Sequence, residues 1–120
     1  MNSEISWQVE LRIKSGQLDN FRLLTEEMIG FTRQEPGALS YQRFICADDA
    51  TIQVYERYIN SAAALLHLQA FSRTFAERFS GMVERTRFVV FGDADPELKD
   101  VLDTFNATYC KPFGDFEYWA

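Results

Sequence analysis

A single histidine, two cysteines and three prolines are all this 120-residue chain has of the residues that most often bind metals, form disulfides or break elements. One His with two Cys far apart in sequence, Cys46 and Cys110, cannot supply a usual zinc site. A disulfide between them would need an oxidising compartment, for which nothing else argues, so free thiols are expected. Basic residues are scarce too: twelve Lys and Arg stand against eighteen Asp and Glu, for a net charge of −6. No Lys or Arg run supplies the positive footprint that nucleic acid requires, and an anionic membrane surface is disfavoured for the same reason. No apolar run approaches the ~20 residues that span a bilayer. The segment Met1 to Ile5 has neither a basic region nor an apolar core of the secretion-signal kind, so the cytoplasm is the expected location. The patterns GxGxxG, P-loop, GxSxG and HExxH are absent, which removes the usual scaffolds for dinucleotide, nucleotide and triad chemistry.

Aromatic residues, by contrast, are abundant: eleven Phe, five Tyr and two Trp in a chain that is 47% hydrophobic. Each large ring buries ~150–250 Å². They fill a tight core or serve a pocket or an interface. From Ile5 to Lys14 apolar and polar residues alternate, a strand with one apolar face of Ile5, Trp7, Val9, Leu11 and Ile13. Leu18, Phe21, Leu24 and Met28 then recur at helical spacing, and Pro36-Gly37 ends that helix with a turn. Leu39 to Ile45 and Thr51 to Tyr58 read as strands joined by a turn at Asp48-Asp49-Ala50. Both carry apolar residues on two faces, which predicts cover on both sides. Asn60 or Ser61 caps a second helix, with a bend expected near Gln69-Ala70 and a row of Phe71, Phe75, Phe79 and Met82. Thr86 to Phe91 is the fourth strand. The order β-α-β-β-α-β is ferredoxin-like, an α+β fold. One domain spans residues 1–120, its core at about 5–91 and an extension over 93–120. In the extension Asp95, Pro96 and the apolar residues from Leu98 to Phe105 predict a short helix. The acidic cluster Asp93, Asp95, Glu97 and Asp100 reads as helix capping and a solvated face. The aromatic tail from Tyr109 to Trp119 is expected to pack on its own sheet or on a partner subunit.

Few residues are left to carry chemistry. His67, early in the second helix, is the natural general base or proton shuttle, or else a half-buried histidine with a satisfied hydrogen bond. Glu56 shares a strand face with Ile52, Val54 and Tyr58, so it needs a partner, a pocket or an escape to water. Arg43 or Arg87 could neutralise it, or it faces a ligand. Trp7, Tyr41, Tyr55 and Tyr58 bring rings with polar tips from the strands, which suits a flat aromatic ligand or an ordinary mixed core.

Three segments, Glu35-Pro36-Gly37-Ala38-Leu39-Ser40-Tyr41, Glu56-Arg57-Tyr58 and Leu66-His67, resemble the features of the antibiotic biosynthesis monooxygenase domain family. Tyr58 stands where Trp is common, and Ala70-Phe71 stands near the place of a frequent second His. The resemblance implies a dimeric α+β barrel made by joining two ferredoxin-like sheets. It implies oxidation of a quinol, anthrone or polyketide-like phenol by O₂ with no flavin, metal or other cofactor. His67 would take the proton, with Glu56 a further candidate, and Trp7, Tyr41, Tyr55 and Tyr58 would hold the ring. The expected partners are a small aromatic molecule and a second copy of the chain. A non-catalytic small-molecule-binding or stress-related dimer and a proton-transfer isomerase are the alternatives on the same scaffold. A related branch degrades haem with an Asn on the first strand, and this chain has no Asn there.

Overall fold

In the computed structural model, which describes residues 3–117, five strands form one sheet with four helices. Strand β1 (Ile5–Ile13) is followed by α1 (Leu18–Thr32), β2 (Ala38–Ile45) and β3 (Thr51–Tyr58). Helices α2 (Ser61–Thr74) and α3 (Ala76–Met82) lead into β4 (Val83–Phe91), then α4 (Pro96–Asp103) and β5 (Thr108–Cys110). The sheet order is β2-β3-β1-β4-β5, antiparallel except for the β4–β5 pair. The first four strands reproduce the ferredoxin-like arrangement expected from the sequence.

Local chemistry explains most boundaries. Asp48 accepts hydrogen bonds from the Ala50 and Thr51 backbone and from the Thr51 hydroxyl, which closes the β2–β3 turn. Asn60 is the cap of α2, its side chain accepting from the Ala63 N–H. Asp95 does the same for Leu98 at the start of α4, with Pro96 in the first turn. The helical bend falls at Phe75 rather than near Gln69-Ala70. Strand β4 begins at Val83, three residues before Thr86. The short strand β5 has no counterpart in the sequence reading, because three residues carry too little periodicity to be seen.

The core lies between one sheet face and the helices. Ile5, Trp7, Val9 and Leu11 are buried there against Phe21, Leu24 and Met28 of α1 and Ala64 and Leu68 of α2. Strand β3 alternates cleanly, with Ile52, Val54, Glu56 and Tyr58 buried. The opposite face is largely polar, crossed by hydrogen bonds among Gln8, Gln53, Glu10 and Thr86. Phe44 of β2 lies 55% exposed, so the chain itself does not supply the two-sided cover expected of β2 and β3. The extension docks through Leu98 and Leu102, both fully buried, and Phe105, which stacks on Phe88 at 5.6 Å. Tyr109 is half-buried, but Phe113 and Phe116 are exposed and do not pack on the sheet. Tyr118 and Trp119 lie outside the described residues. Cys46 and Cys110 are both free thiols.

Candidate active site

Strand pairing sets the floor of the site. Val90, Trp7, Glu56 and Tyr41 stand abreast across β4, β1, β3 and β2, and Phe88, Val9, Val54 and Arg43 form the next row. Residues directly opposite on neighbouring strands share a face. Trp7, Glu56, Tyr41 and Arg43 therefore all point toward the helices.

Glu56 is the hub, although it is only 5% exposed. Its Oε1 accepts from Trp7 Nε1–H at 2.9 Å and from the Tyr58 hydroxyl at 2.8 Å. Its Oε2 accepts from Arg43 Nη2–H at 2.7 Å. Burial raises the carboxyl pKa. Arg43, His67 and the hydrogen bonds from Tyr58 and Arg43 outweigh that and hold it below the usual 4.5. The ionised carboxylate in turn raises the phenol pKa of its neighbours. Tyr58 and Tyr41 are pushed well above the ordinary value of 10.0, first by burial and then by the charge on Glu56. Both phenols stay protonated and act as donors or packing rings, not as bases.

His67 reaches this floor from α2 and is itself only 5% exposed. Its Nδ1 lies 2.7 Å from Glu35 Oε1. A carboxylate at that distance makes Nδ1 the donor nitrogen and fixes the ring plane. Nε2 is left as the nitrogen that can exchange a proton. It sits 3.4 Å from Glu56 Oε1, an oxygen already holding two hydrogen bonds. Tyr58 lies at 5.0 Å and Tyr41 edge-on at 5.5 Å, completing an aromatic collar around the imidazole. Tyr41 also carries the Arg43 guanidinium 3.4 Å above its ring centre.

The pocket above this floor is small and open at its mouth, with a cavity volume of about 40 Å³. His67, Glu56, Arg43, Tyr41 and Trp7 line one end, and Phe71, Phe79, Arg85, Phe88 and Phe105 line the other. Of the ring-holding candidates, Trp7 and Tyr41 border the pocket. Tyr58 does not. It backs Trp7 and His67 at 5.0 Å from each and donates to Glu56. Tyr55 pairs with Gln8 and Gln42 on the opposite sheet face, because a residue next to Glu56 on a strand must point the other way. Arg43, not Arg87, is the partner of Glu56.

Several contributors, Glu35, Phe105 and Arg85 among them, were not singled out as site residues by the sequence reading. Glu35 sits in the α1–β2 turn, where the Pro36-Gly37 pair gave notice of a fixed geometry. Phe105 belongs to the extension. Arg85 was hidden by a β-bulge: the register slips between Glu10 and Leu11, pairing Glu10 with Arg87 and Leu11 with Arg85. Parity with Phe88 and Val90 would put Arg85 on the open face, and the bulge returns it to the pocket. Among the described residues no group of three or more His, Cys, Asp or Glu converges as a metal site. None of the helices is long and apolar enough to cross a membrane.

Several solved structures share this architecture. MupZ from Pseudomonas fluorescens superposes with a TM-score of 0.83 at 21% identity, covering 98% of this chain and 91% of its own. SnoaB, a cofactor-independent oxygenase from Streptomyces nogalater, matches with a TM-score of 0.66 at 14% identity over 78% of this chain and 95% of its own. A conserved protein from Methanosarcina mazei Go1 gives 0.68 at 15% identity over 77% and 94%. At these identities the likeness is one of fold. The MupZ match differs from the other two in taking in the extension as well as the core. Among curated protein sequences none matches the chain. The antibiotic biosynthesis monooxygenase family matches residues 5–76, which is more than half of the chain. The chain belongs to the antibiotic biosynthesis monooxygenase family.

Proposed function

We propose that this protein is a cofactor-independent monooxygenase that oxidises a small aromatic quinol or polyketide-like phenol with O₂. Family membership supports a monooxygenase-like role. The observation that carries the finer reading is His67, oriented through Nδ1 by Glu35 at the end of an aromatic-walled pocket. In this reading Nε2 takes the proton of the substrate's ring hydroxyl or activated CH₂, and Glu56 steadies the imidazolium that forms. Glu56 is not the base, since its oxygens already hold donors from Trp7, Tyr58 and Arg43. The electron-rich anion passes one electron to O₂, and the resulting radical and superoxide combine as a peroxide on the ring carbon. His67 returns the proton as the O–O bond breaks. For a ring CH₂ the products are C=O and water: the substrate supplies all four electrons, and O₂ delivers one atom to each product. Two copies joined through the open sheet face, where Phe44 and Tyr55 lie, form the proposed working unit.

Oxygen uptake by metal-stripped protein over hydroquinones, anthrones and catechols tests this reading. Turnover should survive chelation and fall roughly 10²–10⁴-fold in His67→Ala. No uptake with any compound contradicts it. A second reading is favoured by the Glu35–His67 pair taken alone, because that pair handles protons and needs no oxidant. A proton-transfer isomerase would then lose activity in His67→Ala while consuming no O₂.

A further inference from the structure

Arg85 occupies the far end of the pocket from His67, where its guanidinium is surrounded by rings. Phe105 lies 4.4 Å from it, Phe79 5.0 Å and Phe71 5.8 Å. Among the described residues no carboxylate stands within ion-pairing distance of it. Burial pulls its pKa down, and the attraction of Glu56 offsets part of that. Such a cation, half-buried and carried there by a β-bulge, gains from the ring faces around it and still has its hydrogen-bonding fork free for an anion. A second guanidinium is also short of acceptors. Arg43 holds Glu56 through Nη2 alone, while its Nε and Nη1 are buried and have no hydrogen-bond acceptor. The pocket therefore brings two guanidiniums together with the single buried carboxylate of Glu56: Arg43 has two buried nitrogens without an acceptor, and Arg85 is half-buried with no ion-pair partner among the described residues.

We propose that the ligand of this pocket is an aromatic acid, whose carboxylate binds Arg85 while its ring hydroxyl meets His67. The Arg fork matches a carboxylate with two parallel hydrogen bonds, and the surrounding Phe rings lower the share of water around them. The ring of the ligand lies over the Val9–Phe88 floor between the two ends. This rests on reading the pocket as the substrate site, and not on which reaction follows. The net charge of −6 opposes an anion at long range, so the attraction has to come from the local guanidiniums of Arg85 and Arg43.

Calorimetric titration of the full chain with 6-hydroxy-2-naphthoate, whose hydroxyl and carboxylate stand at opposite ends of the ring system, and with its neutral amide, 6-hydroxy-2-naphthamide, tests the assignment. The acid should bind roughly tenfold tighter or more. The preference should vanish in Arg85→Met, which keeps an unbranched apolar stem among the three rings. It should persist in Arg87→Gln, two positions along β4 and on the open face. Should Arg85→Met not fold, Arg85→Gln serves the same comparison. Equal affinity for acid and amide, no binding of either, or an undiminished preference without Arg85 overturns the proposal. The oxygenase reading fails separately: tight, Arg85-dependent binding of the acid with no O₂ uptake from any phenol removes the reaction and keeps the ligand class. O₂ uptake from neutral phenols without acid preference does the reverse.

Discussion

Glu56 is the most conspicuous polar residue of its strand, and its carboxylate oxygens already hold three donors. A carboxylate between Val54 and Tyr58 invites a role as base, yet its burial is tolerated because four groups surround it: Trp7, Tyr58, Arg43 and His67. Removing one partner of such a buried pair leaves the other charge uncompensated. Glu56→Gln should cost roughly 3–5 kcal/mol in denaturant unfolding. The same residue gives a pH signature. Its folded-state pKa lies below the ordinary 4.5, so its contribution is fully present above that value and is lost as pH falls through the folded pKa. Melting temperature should fall as pH drops below the ordinary carboxylate value of 4.5, and less steeply in Glu56→Gln, where this proton uptake is gone. Glu35 behaves differently. It orients His67 from the rim, and its side chain keeps 17% exposure. Glu35→Gln should lower kcat about 10²-fold while shifting the melting temperature far less than Glu56→Gln does.

Between residues and fold, the element that sets the site is the α1–β2 turn. Gly37 has φ +87°, and a Cβ there would come within 2.7 Å of Ala63 Cβ and 3.0 Å of Ile59. Ala63 stands one helical turn before His67 on α2. The close approach of Gly37 to α2 is therefore what brings Glu35, two residues earlier, beside the imidazole. Gly37→Ala should destabilise the protein by about 1–2 kcal/mol or more, from the left-handed backbone alone before any clash. It should also lower kcat toward the Glu35→Gln level. This turn was legible in the sequence because Pro and Gly punctuate a chain strongly, just as the faultless alternation from Ile5 to Ile13 made β1 legible. The location of His67 on α2 and the need of Glu56 for a partner were legible too. Which partner was not, since Arg43 and Arg87 are equally placed in a list of residues and only strand register separates them. Arg85 was out of reach for a sharper reason: a one-residue slip between Glu10 and Leu11 reverses the face of everything before it in β4. Tyr55 illustrates the opposite case, where strict strand parity with Glu56 already placed it on the other face.

For the molecule as a whole, the extension beyond β4 is part of the pocket and not an appendage. It contributes Phe105 to the wall around Arg85 and buries Leu98 and Leu102 completely. Truncation after Gly92 should destabilise the fold by roughly 3–6 kcal/mol from the two leucines alone, read by denaturant unfolding. It should also open the Arg85 end to water. An unchanged unfolding midpoint would show that the extension is dispensable. The proposed pairing of two chains would cover Phe44, left exposed on the open face of the sheet, without involving the pocket. The central claim is that His67, held by Glu35, removes a proton from a ring hydroxyl in this pocket, and it can be read without any oxidation. Under strict exclusion of O₂ at neutral pH, the absorbance spectrum of 1-naphthol mixed with the wild-type protein should show the bound naphtholate, and the same mixture with His67→Ala should show only the neutral phenol. Neutral naphthol bound to the wild type, or naphtholate formed equally well without His67, would contradict the account.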